Sequence, residues 1–146
     1  MINKPKAVIF DFDGTLCSIA ERYGLALRKE WDAFYQETAN SMPIFPIVEL
    51  AQSLSANNYH IVVISSRPSN HLRSAVLWAE EHDVPVDAWM LRQAEDFRPS
   101  NDVKKELLDL AKSRYDIVMA FDDRDKDVAM YRLNDIVTLQ VSPGVY

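Results

Sequence analysis

The run Ala7-Val8-Ile9-Phe10 passes without a break into Asp11-Phe12-Asp13-Gly14-Thr15-Leu16. Four apolar residues, rich in β-branched and aromatic types and closed by a turn signal, predict a buried strand. Asp11 and Asp13 stand two residues apart, so in an extended chain both carboxylates face the same side. Gly14 reaches backbone angles closed to other residues and lets the chain turn sharply. Two carboxylates at the carboxyl end of a buried strand sit where open α/β sheets gather their ligands. In a dry site such a pair repels itself; a proton, a bound cation or escape into water relieves it. Read alone, the two aspartates also fit a solvated acidic turn.

The pattern of an apolar run with a polar end returns along the chain. Strands are predicted at 60–68, 87–91, 116–121 and 136–141. Helices are predicted between them at 47–57, 69–81, 101–114 and 124–133, with Pro46 at an early position of the first. Residues 21–38 carry Tyr23, Leu27, Trp31, Phe34 and Tyr35 at helical spacing and predict one amphipathic helix. That spacing favours core packing of Trp31, Phe34 and Tyr35 over stacking on a base. Strand and helix alternate, so the fold class is α/β: a three-layer, Rossmann-like parallel sheet with helices on both faces. The 146 residues suit one domain, 1–146, without repeats or linkers.

Charge and cysteine usage narrow the partners. The net charge of −6 argues against long-duplex binding, which normally needs a basic face. A single strand end or a small phosphoester remains open. No run approaches the ~20 apolar residues of a membrane span. Residues 1–6 lead into only four apolar residues, too few for a signal peptide. Cys17 has no partner for an internal disulfide, which fits a reducing, cytoplasmic setting. His60, His71 and His82 share no metal-ligand spacing.

The string D-F-D-G-T-L resembles the first motif of the haloacid-dehalogenase-like (HAD) hydrolases. The resemblance implies that Asp11 attacks phosphorus to form an aspartyl-phosphate and that Asp13 is the general acid/base. Such a division asks for an ionised Asp11 beside a neighbour with a raised pKa. The second Asp points to a phosphatase. I-V-V-I-S-S-R looks like the second motif, with Ser65 on the phosphoryl oxygen; in isolation Ser65 reads as a cap. A lysine in a helix's first turn is not favoured by the dipole, so Lys104 or Lys105 has another reason to be there. The third motif, D-x-R-x-D-x-x-V-K, brings Asp96, Arg98, Val103 and Lys104 into register, and leaves Lys105 as a surface lysine. Ser100 stands where that pattern has Asp, which leaves Asp102 or Ser100 to orient the lysine. Asp122-Asp123 resembles the fourth motif and also fits a helix cap. Asp11, Asp122 and a dianionic phosphate need a cation between them, and Mg²⁺ takes such oxygen ligands. The implied ligands are Asp11, Asp122 and the Asp13 backbone carbonyl, with Asp123 outside them. The HAD arrangement places the first strand between the second and fourth. The stretch of about 17–45 is then a short cap-like insertion, making the domain capless or minimally capped.

The likeness narrows further. P-K-A-V-I-F-D-F-D-G-T-L, V-K and A-F-D-D-R with D-V-A-M-Y-R look most like the 3′-phosphatase half of phage-type polynucleotide kinase/phosphatase. Arg22, Ser66 and Arg67 then fall at substrate-binding positions. No G-x-x-x-x-G-K-[ST] occurs, so 5′-kinase activity is expected from another chain. The expected function is a Mg²⁺-dependent phosphomonoester hydrolase removing 3′-phosphate from nucleic-acid ends or nucleotides. A small-molecule phosphatase or nucleotidase is the alternative. A non-enzymatic phospho-acceptor module is more remote, because the third strand ends Met90-Leu91-Arg92 without an Asp.

Overall fold

The computed structural model describes residues 3–144; Met1 and Ile2, read above with the amino terminus, lie outside them. Five strands form one parallel sheet: β1 (Lys6–Phe10), β2 (His60–Pro68), β3 (Ala88–Arg92), β4 (Asp116–Asp122) and β5 (Val137–Gln140). Their order is β3-β2-β1-β4-β5, so β1 lies between β2 and β4, as the HAD arrangement requires.

Alternation of side chains explains the layers. On one face Val8, Phe10, Ile61 and Val63 meet Val48 and Ala51 of α3 (Phe45–Ala56) and Ala75, Trp78 and Ala79 of the helix at Leu72–Glu81. On the other, Ala7, Ile9, Val62 and Ile64 meet Leu108 and Ala111 of the helix at Ser100–Arg114 and Met130 and Tyr131 of that at Asp125–Leu133. Residues Ala7 to Phe10 are fully buried, which is why β1 reads as an unbroken apolar run rather than an alternating one. Phe10 stacks on Phe121 of β4 with ring centroids 4.8 Å apart.

The single helix expected over 21–38 is instead two short ones. A 3-10 turn at Ala20–Arg22 leads into α1 (Tyr23–Leu27), then α2 (Trp31–Gln36) follows, closed by a 3-10 turn at Glu37–Asn40. The break falls at Arg28-Lys29-Glu30. Lys29 takes a left-handed φ of 58°, and the amides of residues 28, 29 and 30 fold back on the carbonyls of Gly24, Ala26 and Leu25. The aromatic spacing registers a common apolar side but not this stop. Folding back lets Ala26 pack with Phe34 and Tyr35 in a small cluster of their own, while Leu27 is left exposed. Of the three aromatics assigned to core, Phe34 and Tyr35 are buried, whereas Trp31 is exposed and does not belong to it.

The later helices, numbered in chain order, are α4 (Leu72–Glu81), α5 (Ser100–Arg114) and α6 (Asp125–Leu133). Among the described residues no helix is long and apolar enough to cross a membrane. Because β2, β1 and β4 are neighbours, their carboxyl ends bring Ser65, Asp11 and Asp122 together at one edge of the sheet.

Candidate active site

Asp11 follows β1 directly, and its backbone N–H still donates to the Phe121 carbonyl at 2.9 Å, so the residue is fixed against β4. The chain then turns: the amides of Thr15, Leu16 and Cys17 all reach the Phe12 carbonyl, and Gly14 sits at φ 91°, a conformation that side chains rarely adopt. Phe12 anchors this turn edge-on against Trp78 and Trp89. Asp11 and Asp13 both line a cavity of about 370 Å³, together with Ser65, Ser66, Trp31, Tyr35, Arg92, Phe97 and Arg124.

Behind Asp11 lies a buried charge cluster. Lys104 of α5 places its Nζ 3.1 Å from Asp11 Oδ1, 2.6 Å from Asp122 Oδ2 and 3.0 Å from Asp127 Oδ2. Thr15 Oγ1 donates to the other oxygen of Asp11, and the amides of Asp123 and Arg124 donate to Asp122 Oδ1. Asp11, Asp122 and Asp123 each bring one carboxylate oxygen within 4.8 Å of the others, all three buried. Lys104 is shared among the carboxylates of Asp11, Asp122 and Asp127. Burial first, and Asp122 next, push the Asp11 pKa well above its usual range despite Lys104. Burial also raises Asp122, to about 6. Three buried carboxylate oxygens at this spacing are a donor set that could hold a hard divalent cation.

Asp13 is held quite differently. Arg67 grips it with two hydrogen bonds, Nε to Oδ2 at 3.1 Å and Nη2 to Oδ1 at 2.8 Å, and Arg22 adds Nη2 to Oδ1 at 3.0 Å. Burial would raise the Asp13 pKa, but the Arg67 and Arg22 charges and hydrogen bonds outweigh it and lower it. The protein's own groups therefore reverse the expected order: Asp11 is raised and Asp13 is depressed. A group with a depressed folded-state pKa stabilises the fold above its unfolded value and loses that contribution as pH falls through the folded one. Asp13→Asn should therefore cost about 3 kcal/mol at pH 7, since it leaves two buried guanidinium groups short of an anion. That lowers Tm by roughly 6–12 °C for a chain of this size. Melts from pH 7 downward should show the gap to wild type closing below about pH 4, where an unperturbed Asp takes its proton. A variant that melts with the wild type at pH 7 would rule out this role.

The family model for the phosphatase domain of polynucleotide kinase PNKP matches residues 5–146. The chain belongs to this family. Among solved structures, a chain of the "Pnkp1/Rnl/Hen1 RNA repair complex" overlays with TM-score 0.86 and 25% identity, covering 98% of this chain and 44% of that one. The chain thus spans less than half the length of that relative. A class C acid phosphatase from Bacillus anthracis shares the fold at TM-score 0.70 and 18% identity, over 86% of this chain and 54% of that one. So does a haloacid dehalogenase-like family protein from Streptococcus pneumoniae, at TM-score 0.65 and 14% identity, over 96% of this chain and 85% of that one.

Several residues of this PNKP-type phosphatase domain lie elsewhere than the sequence suggested. Arg22 and Arg67, expected on the substrate, are both 1% exposed and sit behind Asp13 rather than in the cavity wall. Arg22 also donates to Ser41 Oγ and the Phe34 carbonyl, and Arg67 to Ser74 Oγ and Thr38 Oγ1. They therefore tie Asp13 to the segment that carries α2. Ser66 does line the cavity, and its carbonyl accepts from Arg92 Nε. Ser65 lies within β2, and its Oγ accepts the Arg67 amide. Asp123, expected outside the metal ligands, has its carboxylate in the acidic cluster itself.

The residue that takes over from the missing Asp at position 100 is neither Asp102 nor Ser100 alone. Asp102 is exposed, whereas buried Asp127, on the first turn of α6, contacts Lys104 and accepts a hydrogen bond from Ser100 Oγ at 2.9 Å. Sequence reasoning missed Asp127 because an acid in a helix's first turn already has a reason to be there, the macrodipole. It also missed Arg92, Phe97 and Arg124 as cavity residues; the only available signal was that Arg92 closes β3 while Phe97 and Arg124 follow β3 and β4.

Proposed function

We propose that this phosphatase domain is a Mg²⁺-dependent phosphomonoesterase that removes 3′-phosphate from nucleic-acid ends or nucleotides through a phosphorylated Asp11. The observation that carries the reading is the division of labour between two carboxylates facing one cavity. Asp11 belongs to an acidic cluster with Lys104, and Asp13 to a two-arginine clamp.

An Asp11 carboxylate oxygen attacks phosphorus while the bond from phosphorus to the 3′ oxygen breaks. Asp13 gives the departing oxygen its proton. Water then attacks phosphorus, Asp13 takes a proton from it, and inorganic phosphate leaves with Asp11 restored. The clamp orients Asp13 but opposes its protonation; the negative charge of an arriving phosphomonoester works in the other direction. Ser65 and Lys104 offset charge on the transferring group. Asp11, Asp122 and Asp123, with the Asp13 backbone carbonyl, would hold Mg²⁺, which neutralises the cluster and polarises the phosphoryl oxygens. Residues 17–45 act as a minimal cap on the single domain, and α2 supplies Trp31 and Tyr35 to the cavity wall. The single, buried Cys17 suits a cytoplasmic setting. The relative found in an RNA repair complex supports a nucleic-acid end as substrate.

Initial rates on a 3′-phosphorylated oligonucleotide, its 5′-phosphorylated isomer and a nucleoside 3′-monophosphate test the reading. The 3′-phosphorylated strand should lead by about tenfold or more in kcat/KM, a difference of one well-made contact. Faster turnover of the mononucleotide would favour the nucleotidase reading, which the net charge of −6 also suits. Stable phosphorylation of Asp11 without phosphate release would indicate an acceptor module instead.

A further inference from the structure

Phe97 is 89% exposed, yet the segment that carries it is held tightly. Arg92 Nη1 donates to the carbonyls on either side of it, Asp96 at 2.7 Å and Arg98 at 2.6 Å. Arg98 in turn forks across Asp96 and Glu106. A braced loop tip with a bare phenyl ring forgoes the burial that usually places Phe in a core, and this ring lines the cavity that holds Asp11 and Asp13. Trp31, from α2, lines the same cavity at 38% exposure. Phe34, edge-on at 5.6 Å, and Tyr35, stacked at 6.3 Å, hold its ring in place.

Charge limits what else could bind a strand here. The chain carries a net −6, and of the three arginines that line the cavity among the described residues, Arg92, Arg98 and Arg124, the first two are committed to carbonyls and carboxylates of the protein. A row of phosphate contacts is therefore a poor source of affinity. Flat aromatic faces do not depend on charge and accept any base. We infer that Phe97 and Trp31 form a stacking subsite for the terminal nucleobase of the phosphorylated strand. The inference rests on the nucleic-acid-end reading above, and it adds what the cavity recognises besides phosphate.

The test compares a 3′-phosphorylated oligonucleotide with the same strand made abasic at its terminal residue. Wild type should prefer the intact strand by about 5- to 150-fold in KM, the range that one stacked base supplies. Phe97→Ala and Trp31→Leu should each erase most of that preference, and Phe97→Tyr should retain it. Salt dependence of KM on the intact strand should be shallow, in keeping with few phosphate contacts. Phe97 is exposed, so its loss tests recognition rather than folding. Equal KM values for the two strands in wild type, or a preference that survives both truncations, would overturn the subsite. Wild type that hydrolyses mononucleotides but neither oligonucleotide overturns the nucleic-acid-end reading, and the subsite with it.

Discussion

Asp11→Asn should abolish phosphate release, by about 10⁴-fold or more in kcat, while leaving the fold as stable as before or slightly more so. The amide has nearly the shape of the carboxylate but cannot attack phosphorus. Removing the nucleophile of a covalent mechanism has cost on the order of 10⁶ in kcat elsewhere. The stability half of the expectation comes from the same geometry. Asp11 is buried beside Asp122 and Asp123, and its raised pKa means that the folded state disfavours its charge. A group whose folded-state pKa is raised costs the fold stability progressively as pH rises from its unfolded value towards the folded one, so a neutral replacement relieves strain at neutral pH. Lys104 keeps Asp122 and Asp127 as partners after the change. Kinetics and a thermal melt on one preparation therefore check the assignment together. Turnover within tenfold of wild type would remove Asp11 as nucleophile. Lost turnover with a collapsed melt would instead make Asp11 a structural residue.

The fold was largely legible because its signals were local. A strand buried on both faces cannot hide its composition, so β1 and the body of β2 stood out, and the helix between successive strands left a parallel sheet as their common solution. The two ends of that logic also show where it stops. Residues 21–38 have a helical aromatic spacing, but the break at Lys29 depends on Phe34 and Tyr35 packing back on Ala26, a tertiary fact. In the site, residues at strand ends were found because a strand end fixes its position. Arg22 and Arg67 were assigned through the family resemblance, which does not say which way a long side chain points in this chain. Both turn inward to Asp13, where aromatic faces receive them: Arg22 lies 4.2 Å from the Phe34 ring centroid and Arg67 4.9 Å from that of Tyr35. Phe97 carried no periodic signal, since its role depends on the bracing of one loop by Arg92.

Mg²⁺ should raise the melting temperature in the absence of any phosphoester, and a chelator should remove both that rise and all turnover. Mg²⁺ commonly uses only one or two carboxylates and completes its shell with water and substrate phosphate. Here the carboxylate oxygens of Asp11, Asp122 and Asp123 already meet within 4.8 Å in a buried cluster, so the cluster itself favours a cation before substrate arrives. A ligand that binds only the folded state at about 100 times its Kd stabilises by ~2.7 kcal/mol. For a domain of this length that is roughly 5–11 °C in Tm. Asp122→Asn and Asp123→Asn should each blunt the rise, because each withdraws one carboxylate from the cluster. Lys105→Ala should leave it intact, since Lys105 pairs with Asp109 on the exposed side of α5. A melt that responds to Mg²⁺ only when a phosphate mimic is added would mean that the phosphoryl group, rather than the clustered aspartates, completes the metal site. Full turnover in chelated buffer would mean that Lys104 and Ser65 alone carry the charge of the reaction.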